Sequence, residues 1–161
     1  MRYTKRAADP LYDSLEPVVK GLGMSLIELS VSKHKGSVQI RIFVDGGGAA
    51  VGIDDCSRVH RALLPRLELN FGQQDLYVEV SSPGIERLIK DGSEFEYYLG
   101  RGVRCYRTDI SDWTSGILSS ADENMVVLKE KDGKMTSLPY ELIAKAKLYS
   151  GVEGLGKEAA L

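Results

Sequence analysis

The apolar positions in the first half of the chain predict two helices and three strands. After Asp9-Pro10 they recur at helical spacing, with the aspartate expected as N-cap and the proline at the first helical position. Pro17 falls inside this helix and predicts a kink or a break. Residues 26–33 and 37–45 then alternate between apolar and polar, and the short link between them predicts a β-hairpin.

A second helix and a third strand complete the order αββαβ. Asp54 is predicted as N-cap of this helix, with Ile53 packed on its first turns as a staple, and Pro65 is expected to end or bend it early. Residues 76–81 alternate again and form the third strand. We therefore expect a three-stranded sheet with both helices on one face. In the first strand, the apolar face is predicted to contain Ile27, Leu29 and Val31.

The pattern changes near residue 91. A short helix at 91–99 is followed by short, closely spaced runs with turn signals between them. We predict strands at 103–108, 113–121, 125–130, 135–138 and 143–148, with one helical turn at 139–142. Such strands are typical of a small SH3-like barrel. The predicted fold is thus α+β, with an α/β domain at 1–90, a β-barrel domain at 91–161 and a loose Gly-rich tail from about residue 150.

The composition narrows the class of protein. Of 161 residues, 43% are hydrophobic and 27% are charged, which is the profile of a soluble globular chain. No apolar run approaches the roughly 20 residues that span a bilayer, and no secretory signal is visible, so we expect a cytoplasmic protein without a membrane partner. The net charge is −2, whereas a protein that holds nucleic acid mainly by phosphate contacts has an excess of basic residues. A basic protein partner suits this charge at least as well.

Candidate catalytic and metal sites are poorly supported by the residues. A nucleophile at Ser81 or Ser82 would need His60 as its base, and no Gly-x-Ser-x-Gly elbow surrounds these serines. Cys56 lies one helical turn from His60, but no further metal-ligand pattern is present, and Cys105 is far away in sequence. We therefore expect no catalytic residue, no metal, no cofactor and no small-molecule substrate.

The stretch from Ser81 to Arg87 is first of all a corner. Proline followed by glycine, at Pro83 and Gly84, is the preference of a type II turn, and Ser81 and Ser82 can satisfy its polar groups. The turn would then display Glu86 and Arg87.

Two further sets of side chains are candidates for partner binding. They are Arg58 and Arg61 on the second helix, and Arg104 and Tyr106, which share a strand face. For the second pair, stacking on RNA bases, gripping a protein surface and a plain solvated face all remain open.

Several segments in their order resemble the ribosome maturation factor RimP family, over about residues 11–148. They are GIDDCSRVHRAL, YVEVSSPGIERLI, YYLGRGVRCYR, SGIL and LPYELIAKAKL. The resemblance implies an αββαβ domain, an SH3-like, Sm-related barrel, and a non-catalytic role in late assembly of the small (30S) ribosomal subunit. It also implies that the barrel binds a ribosomal protein of the decoding region.

The family pattern falls on Asp54, Asp55 and Cys56, on the corner from Ser81 to Gly84, and on Arg87. One departure is Leu88, where the family often has proline.

Three functions are thus open. The first is an assembly factor that docks transiently on the immature small subunit, through ribosomal protein or 16S rRNA contacts. The second is a general RNA-binding module that uses the Sm-like barrel. The third is an enzyme that uses Ser82 or Cys56.

Overall fold

The computed structural model describes residues 1–46, 51–83 and 87–152. The chain divides by its contacts into two compact units, and they are not simply its two halves. One unit is Ala7–Pro83, and the other combines Met1–Arg6 with the chain from residue 84 onward. The boundary between autonomous domains expected near residue 91 stays a prediction. No helix in the described ranges has the length and apolar character needed to cross a bilayer.

The first unit has the predicted αββαβ order. Its elements are α1 (Pro10–Gly21), β1 (Ser25–His34), β2 (Ser37–Asp45), α2 (Ile53–Phe71) and β3 (Asp75–Ser81). The sheet order is β1-β2-β3, with β2 antiparallel to β1 and parallel to β3. Parallel strands cannot be joined by a tight turn, so α2 serves as the crossover between β2 and β3.

Both helices cover the same face of this sheet, as predicted. The alternate side chains of β2 are fully buried from Val38 to Val44, while Gln39 and Arg41 between them are exposed. The core residues that pack together from the three elements are Val38, Ile40, Ile42 and Val44 of β2, Tyr12, Leu15 and Val19 of α1, and Val59, Leu63 and Leu67 of α2. A single strand thus supplies the centre of the core.

The predicted apolar face of β1 is wrong at one position. The pairing with β2 shifts between Leu26 and Glu28, so that Ile27 is the extra residue of a β-bulge. Leu26, not Ile27, lies opposite Val44 and joins the core. A bulge moves the alternation by one residue, and the hydrophobic pattern alone does not reveal it.

Asp9 is the N-cap of α1, as predicted, since its carboxylate accepts hydrogen bonds from the N–H groups of Leu11 (3.1 Å) and Tyr12 (3.4 Å). The helix then runs through Pro17 to its end without a break. The early end of α2 expected at Pro65 is also wrong, because the helix continues to Phe71. Buried leucines on both sides of Pro65 hold that helix, since packing of an apolar face supplies most helical stability in proteins.

The start of α2 also differs from the prediction. Gly52 is the N-cap, with extended backbone at φ −92° and ψ 178°, and Asp54 lies exposed within the first turn. The Asp55 carboxylate reaches back three residues and accepts from the Gly52 N–H at 3.1 Å. Ile53 is 86% exposed, so the predicted hydrophobic staple does not form.

The second unit is a six-stranded antiparallel sheet. Its strands are β4 (Leu88–Ile89), β5 (Gly102–Arg107), β6 (Asp112–Ala121), β7 (Met125–Lys129), β8 (Met135–Pro139) and β9 (Ile143–Leu148), in the spatial order β4-β9-β5-β6-β7-β8. Short 3-10 helices lie at Gly92–Tyr98, Tyr140–Leu142 and Ser150–Val152. In the described residues the sheet does not close, and it is compatible with a small β-barrel. The predicted strands are confirmed, β4 was not predicted, and the tail beyond residue 152 lies outside the described residues.

The first residues of the chain belong to this second unit through backbone hydrogen bonds. The Gly92 N–H donates to the Arg2 carbonyl at 2.7 Å, and the Thr4 N–H donates to the Asp91 carboxylate at 2.9 Å. The Met1 nitrogen donates to a carbonyl near residue 140 at 2.8 Å. The unit is therefore assembled from two separate stretches of chain.

Candidate functional site: a groove between α2 and β3

A groove of about 670 Å³ lies in the first unit between α2 and β3. Its position follows from the topology. Since β2 and β3 are parallel, their carboxyl ends lie at one edge of the sheet, and α2 begins at that same edge after β2. In sheets with parallel strands this edge is the usual place for a binding crevice.

The groove brings together five of the candidate site residues singled out from the sequence, namely Cys56, His60, Arg61, Ser81 and Ser82. The rest of its lining is Val51, Gly52, Ile53 and Ser57 on the helix side and Val78, Glu79 and Val80 on the strand side. The lining is thus partly apolar, with the cation of Arg61 on the helix side, while the Glu79 carboxylate lies 3.6 Å from the Arg41 guanidinium of β2. Val78 and Glu79 were missed as site residues, although their place near the end of a strand before the crossover edge is a usable signal.

The acidic pair at the start of α2 and Arg58 lie beside the groove rather than in its lining. The Asp55 carboxylate caps the helix and also lies 3.5 Å from the Arg58 guanidinium. Both side chains are well exposed, so the ion pair contributes about 0–1 kcal/mol. The structure thus gives Asp55 a role in starting the helix and leaves Arg58 at the surface.

The Cys56 thiol is not activated. Burial raises the pKa of Cys56, and the negative charge of Asp55 raises it further. A nucleophilic cysteine needs the opposite shift, because the thiolate is the reactive form. Within the described part of the chain, no group of three or more histidine, cysteine and acidic side chains is arranged to hold a metal ion.

The corner after β3 is described only in part. Ser81 ends the strand and is half-buried, Ser82 is exposed, and Pro83 is buried. Gly84 and Glu86, and with them the predicted type II turn, lie outside the described residues. Arg87 belongs to the second unit, where its carbonyl accepts from the Leu148 N–H at 2.9 Å.

Arg104 and Tyr106 lie on a second surface, in the other unit. They share one face of β5, as the alternation predicts, and Tyr106 pairs with Trp113 of β6. The Arg104 guanidinium lies 4.4 Å from the centre of the Trp113 ring and 5.0 Å from that of Tyr149. The Tyr106 and Trp113 rings meet edge to face, with centroids 5.4 Å apart at 77°.

Two lysines of β9 complete this surface. The Nζ of Lys145 lies 5.7 Å from the centre of the Tyr106 ring and 5.8 Å from that of Trp113, and the Nζ of Lys147 lies 5.8 Å from Trp113. The register explains the cluster, since Lys145 pairs with Tyr106. We call the set the aromatic–cation face. It consists of Arg104, Tyr106, Trp113, Lys145, Lys147 and Tyr149.

The comparison with protein families matches residues 14–86 to the RimP N-terminal domain. The match spans most of the first unit, from α1 through β3, and it includes every residue that lines the groove. It agrees with the segments GIDDCSRVHRAL and YVEVSSPGIERLI in the same stretch. Residues 14–86 therefore match the N-terminal domain of the RimP ribosome maturation factors, as the sequence motifs in this stretch indicate.

Proposed function

We propose that this protein is a non-catalytic assembly factor for maturation of the small (30S) ribosomal subunit. It docks transiently on the immature subunit and leaves before translation begins. The observation that carries the proposal is the RimP N-terminal domain over residues 14–86. The cytoplasm is the corresponding location, and the six-stranded sheet, which includes β4 at Leu88–Ile89, is the family's SH3-like barrel.

The groove between α2 and β3 is the docking site that we propose for a ribosomal protein. Ile53 at its rim is a large apolar side chain that is 86% exposed, which is a feature of protein-binding surfaces when it adjoins a concave site. Arg61 supplies a cation at the groove, whereas the Glu79 carboxylate lies 3.6 Å from the Arg41 guanidinium of β2. A mixed and partly apolar lining suits a protein surface better than a phosphate backbone, which calls for cations. The resemblance implies a ribosomal protein of the decoding region at the barrel, so we propose the groove as a separate contact with a ribosomal protein.

The absence of catalysis is supported by the chemistry of the groove. Its thiol, Cys56, has a raised pKa. Ser81 and Ser82 lie where β3 ends, and Ser57 lies within α2, so none of the three is on a strand-to-helix elbow. The site thus offers surface and shape for recognition rather than a prepared nucleophile.

Sedimentation tests the assembly role. The purified protein is mixed with immature small subunits, mature small subunits and translating ribosomes, and each mixture is run through a sucrose gradient at low salt. We expect the protein to travel with the small subunits, most strongly with the immature ones, and to be absent from translating ribosomes. If it stays at the top of every gradient, the proposal is wrong.

A matched pair of variants tests the groove. Ile53→Ser removes the apolar side chain at its rim, and Leu69→Ser makes the same kind of change at a residue of α2 that is 88% exposed and outside the groove lining. We expect Ile53→Ser to reduce co-sedimentation and Leu69→Ser to leave it unchanged, with both proteins folded by circular dichroism. Equal behaviour of the two variants would place the docking site elsewhere.

A further inference from the structure

We propose that the aromatic–cation face of the second unit binds single-stranded RNA. In this proposal unpaired bases stack on the rings of the face, and its lysines hold the phosphates. The inference deepens the assembly role and rests on it for its biological setting, because the rRNA of an unfinished subunit contains unpaired segments. The physical argument itself stands on the second unit alone.

The rings are the first part of the argument. Tyr106, Trp113 and Tyr149 are each partly buried, so each leaves part of its ring accessible to a ligand. Trp113 and Tyr149 lie against the Arg104 guanidinium, and Tyr106 meets Trp113 edge to face. Trp113 is the only tryptophan of the chain. Partly exposed rings beside cations are the usual platform for unpaired bases, since every base has a flat surface to stack.

The charges are the second part of the argument. Within the described residues, Arg104 and Lys145 form no ion pair with a carboxylate, and both lie against aromatic rings instead. The Nε of Arg104 is buried and has no hydrogen-bond partner there. A positive charge without a neighbouring carboxylate favours an anionic ligand, because hydrogen bonds between charged groups are the strong ones.

A groove beside the aromatic–cation face indicates where the phosphates and the bases of a bound RNA would lie. About 420 Å³ of open space is lined by Ser115 and Tyr149 and, toward the β7–β8 turn, by two carboxylates and one cation, namely Glu130, Asp132 and Lys131. These carboxylates already accept hydrogen bonds, Glu130 from the Thr136 hydroxyl and Asp132 from a backbone N–H in its own turn. Phosphates are therefore expected along the lysines of β9, away from the carboxylates, with bases over the rings.

An acidic peptide is the competing ligand, since the cations alone would attract it. The structure favours RNA because the three rings surround the cations and offer stacking area that a carboxylate side chain does not use. The experiment must therefore distinguish binding that depends on the aromatic rings from binding that depends only on the positive charges.

The test is a binding titration of the full chain with a fluorescently labelled, unstructured oligoribonucleotide of about 12 nucleotides, a length within the site sizes of single-strand binders. Anisotropy gives the Kd, and quenching of Trp113 emission reports contact at the face. We expect Trp113→Ala to raise the Kd roughly 5- to 150-fold, the equivalent of one lost stacked base. Trp113→Phe, which keeps a ring, is expected to retain most of the affinity.

The lysines are tested by the salt dependence of binding. Lys145→Gln is expected to weaken binding and to reduce the slope of log Kd against log salt by about 0.7, the value for one phosphate contact on a single strand. Lys134→Gln, at an exposed lysine in the β7–β8 turn, is the matched control and is expected to leave the slope unchanged. Because Lys145 is also exposed, its replacement should not unfold the protein, and a melting curve checks this.

Several results would overturn the proposal. They are an absence of RNA binding, equal affinity for a duplex RNA of the same length, displacement of the RNA by a hexaglutamate peptide at equal concentration, and equal losses from Lys145→Gln and Lys134→Gln. These outcomes concern isolated RNA, so they leave co-sedimentation with small subunits untouched. A failure of the RNA site is thus distinguishable from a failure of the assembly role.

Discussion

Replacing Gly116 by alanine is a sharp test of the second unit. Gly116 is buried in β6, where a Cβ atom would lie 2.7 Å from the Lys129 carbonyl oxygen and 3.0 Å from its carbonyl carbon. It would also lie 3.1 Å from the Cβ of Leu128. The closest atoms belong to the backbone of β7 and cannot rotate away, so the pairing of the two strands must shift.

The size of the effect follows from this geometry. Adding a methyl group to a tightly packed interior costs about 1–3 kcal/mol in the free energy of unfolding. For a unit of fewer than 100 residues, each kcal/mol lowers the melting temperature by about 4–8 °C. Gly116→Ala is therefore expected to lower the melting temperature of the second unit by roughly 4–24 °C.

Trp113 provides the measurement, because the only tryptophan of the chain lies on the same strand as Gly116. Its fluorescence during heating reports the second unit rather than the whole chain, which need not unfold in one step. The control is Gly21→Ala at the end of α1, where an added Cβ meets no atom within 4 Å. If the Trp113 transition of Gly116→Ala coincides with that of the unmodified protein, the close approach of β7 is refuted.

Three other measurements probe the units separately. Asp91→Ala removes the N-cap of the 3-10 helix that follows it and is expected to cost about 0.5–2 kcal/mol near neutral pH. Burial raises the pKa of Asp91, but hydrogen bonds to its carboxylate lower it more, so the pKa is lower in the folded protein. In denaturant titrations, the loss of unfolding free energy caused by Asp91→Ala is therefore complete above about pH 4. The loss disappears as the pH falls through the pKa of Asp91 in the folded protein. Tyr12→Phe is expected to cost about 1–3 kcal/mol in denaturant melts, because the buried Leu26 carbonyl loses the hydroxyl that donates to it. Burial raises the pKa of Cys105 to about 12, so a thiol reagent at mildly alkaline pH should label the half-buried Cys56 alone until the protein is denatured, and early labelling of both would contradict this.

The fold was predictable where a side-chain pattern decides it. The strands of the second unit alternate cleanly and have turn residues between them, and Asp9-Pro10 marks the start of α1. The predictions were wrong where the same local sequence is compatible with two backbone structures. At the start of α2, an aspartate one position further along caps the helix by reaching back, so Gly52 rather than Asp54 is the N-cap. A proline removes one backbone hydrogen bond of a helix. At Pro65, the burial of leucine side chains before and after the proline outweighs that loss, and the helix continues.

The candidate sites were predictable only in part, because they depend on pairing between distant segments. Arg104 and Tyr106 were visible as neighbours on one strand, but Trp113 joins them from β6 and Tyr149 from the residue after β9. The short turn between β5 and β6 was a usable signal, since it fixes the register that puts Trp113 opposite Tyr106. The groove could not be predicted from the sequence, because it depends on the parallel pairing of β2 with β3. The hydrophobic pattern does not show whether two strands pair in parallel or antiparallel.

The place of Met1–Arg6 has a consequence for the order of events during synthesis. The first unit is continuous, so residues 7–83 have all their partners once that stretch has left the ribosome. The second unit must bring Thr4 to Asp91, a separation of 87 residues, and Met1 to the neighbourhood of residue 140. Contacts of such long range are slow to form. The opening residues, although made first, are thus expected to find their places last.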